Sequence, residues 1–257
     1  LICRHLTSLP DTGDNPQMEL RSALVTGASS GIGFAVARVL SEEKFGLTLV
    51  GRDGARLAAA ADGLADVQTL SGSLADEAFL DHIVARHQEM FGALDVLVNN
   101  AGIAGHRAVA DITADFLDEQ LAVNLRAPIL LTAKAMPMLR KAVGLRGSAQ
   151  VINTASNAGK RGESTLGAYS ASKFGVVGFT EALHDELSTS GIRATAICPG
   201  VVDTPMADPY RDDIPAHTMI APTDVAEVVR MTTRLSPACI VPEVVLLRPT
   251  EWLQTPQ

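Results

Sequence analysis

The chain has 257 residues, 47% of them apolar and 19% charged, and a formal net charge of −8. The apolar content supports a sizeable core, the length suits one large domain, and the acidic balance excludes polyanionic partners such as nucleic acid. Cys3, Cys198 and Cys239 are too few for a disulfide framework; Cys198 and Cys239 lie in apolar strand-like runs and read as packed free thiols, which fits a cytoplasmic protein.

Residues 1–17 combine prolines with Asp, Asn and Thr and have neither a signal-peptide apolar core nor helical or strand periodicity. They read as a flexible, non-native N-terminal extension, with Met18 the expected natural start and 18–257 a single domain. A short apolar strand at 23–25 runs into the turn Thr26-Gly27-Ala28-Ser29-Ser30-Gly31-Ile32-Gly33, and a helix follows over 33–40. Strands at 47–50 and 67–70 each precede a helix, from about 55 and over 75–90. A fourth strand at 94–98 ends in Asn99-Asn100-Ala101-Gly102, and one long helix is expected over 113–140. That helix does not span a membrane, because Thr132, Lys134 and Pro137 interrupt its apolar run. A strand at 151–153 leads to Ser156, a helix carries Tyr169 and Lys173 to about 188, and a strand at 194–198 closes at Pro199-Gly200. Residues 201–222 show no period and read as a functional loop or lid, before a helix over 223–234 and a strand over 240–247. Strands alternating with helices predict an α/β doubly wound, mainly parallel sheet of about seven strands with helices on both faces.

Three features carry chemistry. A pyrophosphate approaching a helix N-terminus needs bare backbone N–H groups and no Cβ in its way, and Gly27, Gly31 and Gly33 meet both needs; an ordinary structural turn is the plain alternative. The second strand ends in Gly51-Arg52 where a carboxylate would hold the ribose 2′-hydroxyl of NAD. Arg52 pairs better with a 2′-phosphate, so NADP is favoured, although the adjacent Asp53 leaves NAD open. Tyr169 and Lys173 share a helical face, and a nearby ammonium is expected to lower the tyrosine pKa so that the pair exchanges a proton with a substrate oxygen. Ser156 would donate a hydrogen bond to that oxygen.

Thr26-Gly27-x3-Gly31-x-Gly33, Asn99-Asn100-Ala101-Gly102, Asn124, Ser156, Tyr169-x3-Lys173 and Pro199-Gly200-x3-Thr204 together resemble the short-chain dehydrogenase/reductase family, in its single-domain branch, from Met18 to about Pro249. The resemblance implies a Rossmann-type fold and an oxidoreductase that passes a hydride between a nicotinamide cofactor and a secondary alcohol or ketone. It assigns Tyr169 as general acid/base, Lys173 as its partner and ribose ligand, Ser156 as the carbonyl-orienting group and Asn124 as the holder of a relay water. The cofactor would lie along Gly27, Ser29, Ser30, Gly31, Ile32, Gly33, Arg52, Leu74, Asn99, Ala101, Gly102, Tyr169, Lys173, Pro199, Gly200, Val202 and Thr204. Asn124 bridging backbone groups and Thr204 capping a turn remain open alternatives. Two departures stand out: Ser73-Leu74 replaces the usual Asp-apolar pair near the adenine, and the tail 241–249 replaces an Asp-Gly-Gly ending. That tail, with Gly51-Arg52, looks like an NADP-dependent subgroup acting on 3-hydroxy acids.

On the substrate side, Lys160 and Arg161 are candidates for an anionic group or simply solvated, and His106 reads as a surface residue. Small residues Ala168, Ala171, Ser172, Gly175 and Gly178 suit either a helix-to-helix contact between subunits or burial on the chain's own sheet; the resemblance implies a homodimer or homotetramer. No metal site is assigned. The other functional readings are a non-catalytic dinucleotide sensor, against which the full Ser, Tyr, Lys and Asn set argues, and an NAD-dependent epimerase or dehydratase, for which the chain lacks a second domain.

Overall fold

A computed structural model describes residues 20–249 and 251. The chain before residue 20, including Cys3 and the expected start at Met18, lies outside the described residues. Seven strands, β1 (Ser22–Thr26), β2 (Gly46–Gly51), β3 (Val67–Ser71), β4 (Val96–Asn99), β5 (Ala149–Thr154), β6 (Ile192–Pro199) and β7 (Glu243–Leu246), form one sheet in the order β3-β2-β1-β4-β5-β6-β7. Every neighbouring pair is parallel. Seven α-helices lie between them: α1 (Gly31–Glu42), α2 (Gly54–Ala61), α3 (Glu77–Phe91), α4 (Ala114–Leu121), α5 (Ala127–Arg146), α6 (Gly167–Leu187) and α7 (Pro222–Arg234).

Consecutive strand residues explain why both faces are covered. Val25, Val98 and Ile152 join the core beneath α1 and α7, whereas Leu24, Leu97 and Val151 join the core beneath α3 and α5. A strand apolar on both faces cannot sit at a solvated surface, so helices must flank it. The strand order reverses between β1 and β4, and the crevice outside their carboxyl ends is where open α/β sheets admit ligands. The ends of β1, β4, β5 and β6 therefore define the site.

Three expectations are corrected. The single helix over 113–140 is two helices joined by a π-helical turn, Ala122–Arg126, and α5 runs on to Arg146. Apolar periodicity continues through the turn, so the one-residue widening leaves little trace in the sequence. The loop at 201–222 contains two 3-10 turns, Pro205–Tyr210 and Ala216–Thr218, tied by a parallel bridge between Val202 and Ile220. Cys198 is buried in β6, but Cys239 is exposed and precedes β7, which starts only at Glu243.

Candidate active site

The glycine turn leaves β1 and enters α1. Gly27 and Gly31 have φ of +69° and +55°, values that a side chain disfavours. Gly33 faces a second constraint: a Cβ there would run into the Gly27 carbonyl and the Asn100 amide. Asn100 locks the turn, since its Nδ2 donates to Thr26 O at 3.1 Å, and Thr26 Oγ1 accepts from the N–H groups of Asn100 and Ala101, each at 3.0 Å. Asn99, by contrast, spends its amide within the core, donating to Thr132 Oγ1 and Asn153 Oδ1. The contacts of the Asn99–Gly102 segment with the turn thus fall to Asn100 and the Ala101 N–H rather than to the Asn99 side chain.

A groove beside the turn is lined by Ser29, Ser30, Phe34, Arg56, Ala59 and Ala60. Arg52 stands exposed after β2, whose last residue Gly51 lies against Ser29 of the groove. Asp53 is the N-cap of α2, its Oδ1 accepting from the N–H groups of Ala55 and Arg56 at 3.0 and 3.1 Å. Arg56 is the basic side chain at this groove that motif spacing did not suggest. Leu74 is buried and, with Thr26, Asn99 and Ala101, lines a small cavity. Ile32 packs on the core, and Thr204 closes on the turn, its methyl 2.8 Å from a Cβ built on Gly31. Thr204 occupies the N-cap position of the following 3-10 turn but bonds back to Val202 O rather than capping with its side chain.

The ends of β5 and the start of α6 bring the reactive side chains together. Ser156 Oγ accepts from Ala158 N at 3.1 Å, which fixes the serine at the head of a short 3-10 turn, Asn157–Gly159. Gly159 lets that turn lie directly on α6, because a Cβ there would sit 2.8 Å from Lys173 O. Tyr169, 9% exposed, lies within reach of the Ser156 hydroxyl, and Lys173 Nζ stands 5.7 Å from the centre of the Tyr169 ring. Lys173 Nζ donates to Thr154 O at 2.8 Å.

The expectation that the ammonium lowers the Tyr169 pKa does not hold in this state. Burial pushes the hydroxyl up to about 12, opposed by the nearby Ser156 side chain. Burial likewise brings Lys173 down to about 8. Both shifts have one cause: removing a charged form from water outweighs the neighbours. Tyr169 is therefore held as a phenol, the proton-donating form.

Asn124 sits in the π-helical turn, a feature common at functional sites. Its Oδ1 accepts from Ile103 N and its Nδ2 donates to Ile103 O, both at 2.8 Å, so its side chain bridges backbone groups. It still borders the lysine: a Cβ on Gly102 would lie 3.3 Å from Asn124 Oδ1 and 3.5 Å from Lys173 Nζ.

Pro199 ends β6, and Gly200 follows it against the Glu251 carboxylate. On the outer side, Lys160 pairs with Glu243 at 2.9 Å and is not free for an anionic substrate. His106 is exposed, as read, and its ring nitrogens bond Thr165 Oγ1 and Tyr210 OH, each at 2.8 Å. Gly175 serves the chain's own packing, its Cα facing Leu125, whereas Ala171 and Gly178 are exposed. Among the described residues, no group of three or more His, Cys, Asp or Glu is arranged for a metal, and no helix is long and apolar enough to cross a membrane.

A parallel α/β sheet with a glycine turn at its switch point and a Ser, Tyr, Lys set opposite defines a dinucleotide-dependent oxidoreductase. The family model for short chain dehydrogenases matches residues 21–215, and this chain belongs to that family. It is 41% identical over 201 residues to a Streptomyces virginiae protein named as a ketoacyl reductase of the monensin polyketide synthase, covering 76% of each chain. A Streptomyces violaceoruber protein named as a granaticin polyketide synthase ketoacyl reductase is 40% identical, over 80% of this chain and 75% of that one. The crystal structure of an actinorhodin polyketide ketoreductase variant with NADPH superposes with a TM-score of 0.81 at 31% identity, covering 90% of this chain and 96% of that one. A Brucella melitensis 3-ketoacyl-(acyl-carrier-protein) reductase complexed with NADH gives the same TM-score at 29% identity, covering 90% and 97%.

Proposed function

We propose that this protein reduces a ketone to a secondary alcohol with NADPH, and that Tyr169, Ser156, Lys173 and Asn124 form its catalytic set. The convergence of Ser156, Tyr169 and Lys173 where the end of β5 meets the start of α6 carries this reading. The residues suit the cofactor: Gly27, Gly31 and Gly33 leave the backbone bare for a pyrophosphate, and the exposed Arg52 and the groove-lining Arg56 supply positive charge for a 2′-phosphate. Asp53 caps α2 through Oδ1 alone, so the preference for NADPH rests on Arg52 and Arg56.

When bound, the nicotinamide supplies the hydride. Ser156 and Tyr169 donate hydrogen bonds to the substrate carbonyl oxygen, and Tyr169 gives up its proton as charge develops there. Lys173, with a pKa of about 8, returns a proton to the site and stabilises the phenolate while it lasts. Asn124 holds the segment after β4 against this group through Ile103. The relatives' names make 3-ketoacyl compounds the first substrates to assay.

The test is turnover of such a panel followed by NAD(P)H absorbance with each cofactor. Tyr169→Phe should lose at least about 10²-fold in kcat while NADPH affinity stays near wild type. Wild-type turnover in that variant would overturn the mechanism. Self-association as a dimer or tetramer is part of the same reading, supported by the exposed α6 residues Ala171, Phe174 and Gly178. Light scattering at micromolar concentration should give two or four times the chain mass, and a monomer would remove this assignment.

A further inference from the structure

Asn157 is not among the four residues of the proposed reaction, yet its side chain is wired to one of them. Ser156 Oγ donates to Asn157 Oδ1 at 3.1 Å. Asn157 Nδ2 donates to Glu251 Oε1 at 2.9 Å and to Glu163 Oε1 at 3.3 Å. Carboxylates accept and do not donate, so the amide nitrogen must face the two glutamates, which leaves its oxygen facing Ser156. Burial, followed by the Glu251 charge, holds the Glu163 carboxyl above its ordinary range, with Arg161 and His106 opposing. Protonation of Glu163 would not reverse the amide, because a neutral carboxyl keeps an accepting carbonyl oxygen.

Glu251 reaches this place from beyond β7, 94 positions along the chain from Asn157. Its Oε2 accepts from Arg248 N at 3.2 Å, its own N–H bonds Arg248 O at 3.0 Å, and its carboxylate rests where a side chain on Gly200 would be. A side chain at 200 would push that carboxylate aside.

We infer that Glu251 is a positioning residue for Ser156: through the Asn157 amide it fixes the direction of the Ser156 hydroxyl hydrogen before substrate arrives. The inference rests on the reductase reading, in which Ser156 donates to the substrate oxygen. Ser156 Oγ is pinned by Ala158 N while its hydrogen rests on Asn157 Oδ1. A substrate carbonyl then captures that hydrogen by rotation about Cβ–Oγ, with no movement of the oxygen itself. Without Glu251 only the longer bond to Glu163, at 3.3 Å, keeps the amide nitrogen turned away from Ser156, and the direction of the hydroxyl is held less firmly.

A double-mutant cycle in the full chain tests this. Glu251→Ala and Asn157→Ala should each lower kcat about tenfold, the rate equivalent of one net hydrogen bond, with NADPH affinity unchanged. The double variant should be no slower than Asn157→Ala alone, and Glu251→Gln, which keeps an accepting oxygen, should recover most of the loss. Additive losses, or a glutamine variant as slow as alanine, would show that the tail acts by packing on Gly200 and would overturn the inference. The Asn157 side-chain amide resonances, identified by their absence in Asn157→Ala, give a readout that needs no turnover. They should exchange slowly in the native chain and lose that protection in Glu251→Ala. Unchanged protection defeats the positioning role even in an active reductase; lost protection in a chain that reduces no ketone defeats the reductase reading and leaves the wiring intact.

Discussion

One methyl group separates glycines that build the site from glycines that merely occupy a helix. Gly33 approaches backbone: the carbonyl of Gly27 stands where a Cβ would go, with the Asn100 amide beside it, and backbone cannot yield as a flexible side chain can. Gly144, exposed near the end of α5, has nothing within 4 Å of its Cβ position. Gly33→Ala should therefore destabilise the chain by about 1–3 kcal/mol and weaken NADPH binding, because the strained turn also shapes the pyrophosphate cradle. Gly144→Ala should stabilise by roughly 0.5 kcal/mol with cofactor affinity unchanged, since alanine loses less freedom on folding. Denaturant midpoints and a cofactor titration on the two variants check the contrast; a Gly33→Ala chain of native stability would mean that the turn has slack.

At the scale of elements, the sequence was most legible where a local pattern and a tertiary demand coincide. Leu24-Val25 and Val151-Ile152 are apolar in succession because each residue of the pair enters a different core, so the strands and their two helical layers could be read directly. Tyr169 and Lys173 could be paired by helical spacing alone. The π-helical turn at Ala122–Arg126 could not, because it widens the backbone by one residue without changing the run of apolar side chains. Nor could the Tyr169 pKa, since the i, i+4 spacing reports the nearby ammonium but not the burial that outweighs it. Asn157 and Glu251 stayed hidden for a third reason: they lie 94 positions apart, and no short motif encodes a contact made only by the folded sheet. His106 belongs with them, its ring joining Thr165 to Tyr210 across segments that follow β4, β5 and β6.

The molecule as a whole divides its polar groups between the two ends of the sheet. The carboxyl ends of the strands carry the groups assigned to chemistry, whereas a closed polar cluster lies at the opposite end, around fully buried His87. His87 Nδ1 bonds Thr48 Oγ1 at 2.7 Å, and Nε2 approaches Ser22 Oγ at 3.1 Å and Ala93 O at 3.2 Å. Burial brings the His87 pKa down from 6.5 to about 4, against the raising effect of Ala93 O. Between those values the unfolded chain binds the proton more readily than the folded one, so stability from this residue is present above about pH 6.5 and is lost as pH falls toward 4. The loss between pH 7 and pH 4.5 should be about 2 kcal/mol. Asp95, which accepts from Ser22 N, has its pKa raised by burial despite Ser22 and Arg146, and so contributes with the opposite sign. Comparison with a variant that cannot titrate separates the two: His87→Gln should be less stable than the native chain at pH 7, and its deficit should shrink by about 2 kcal/mol at pH 4.5. Guanidinium unfolding at the two pH values measures that difference, and a deficit that stays constant with pH would show that His87 binds its proton equally well in the folded and unfolded chains.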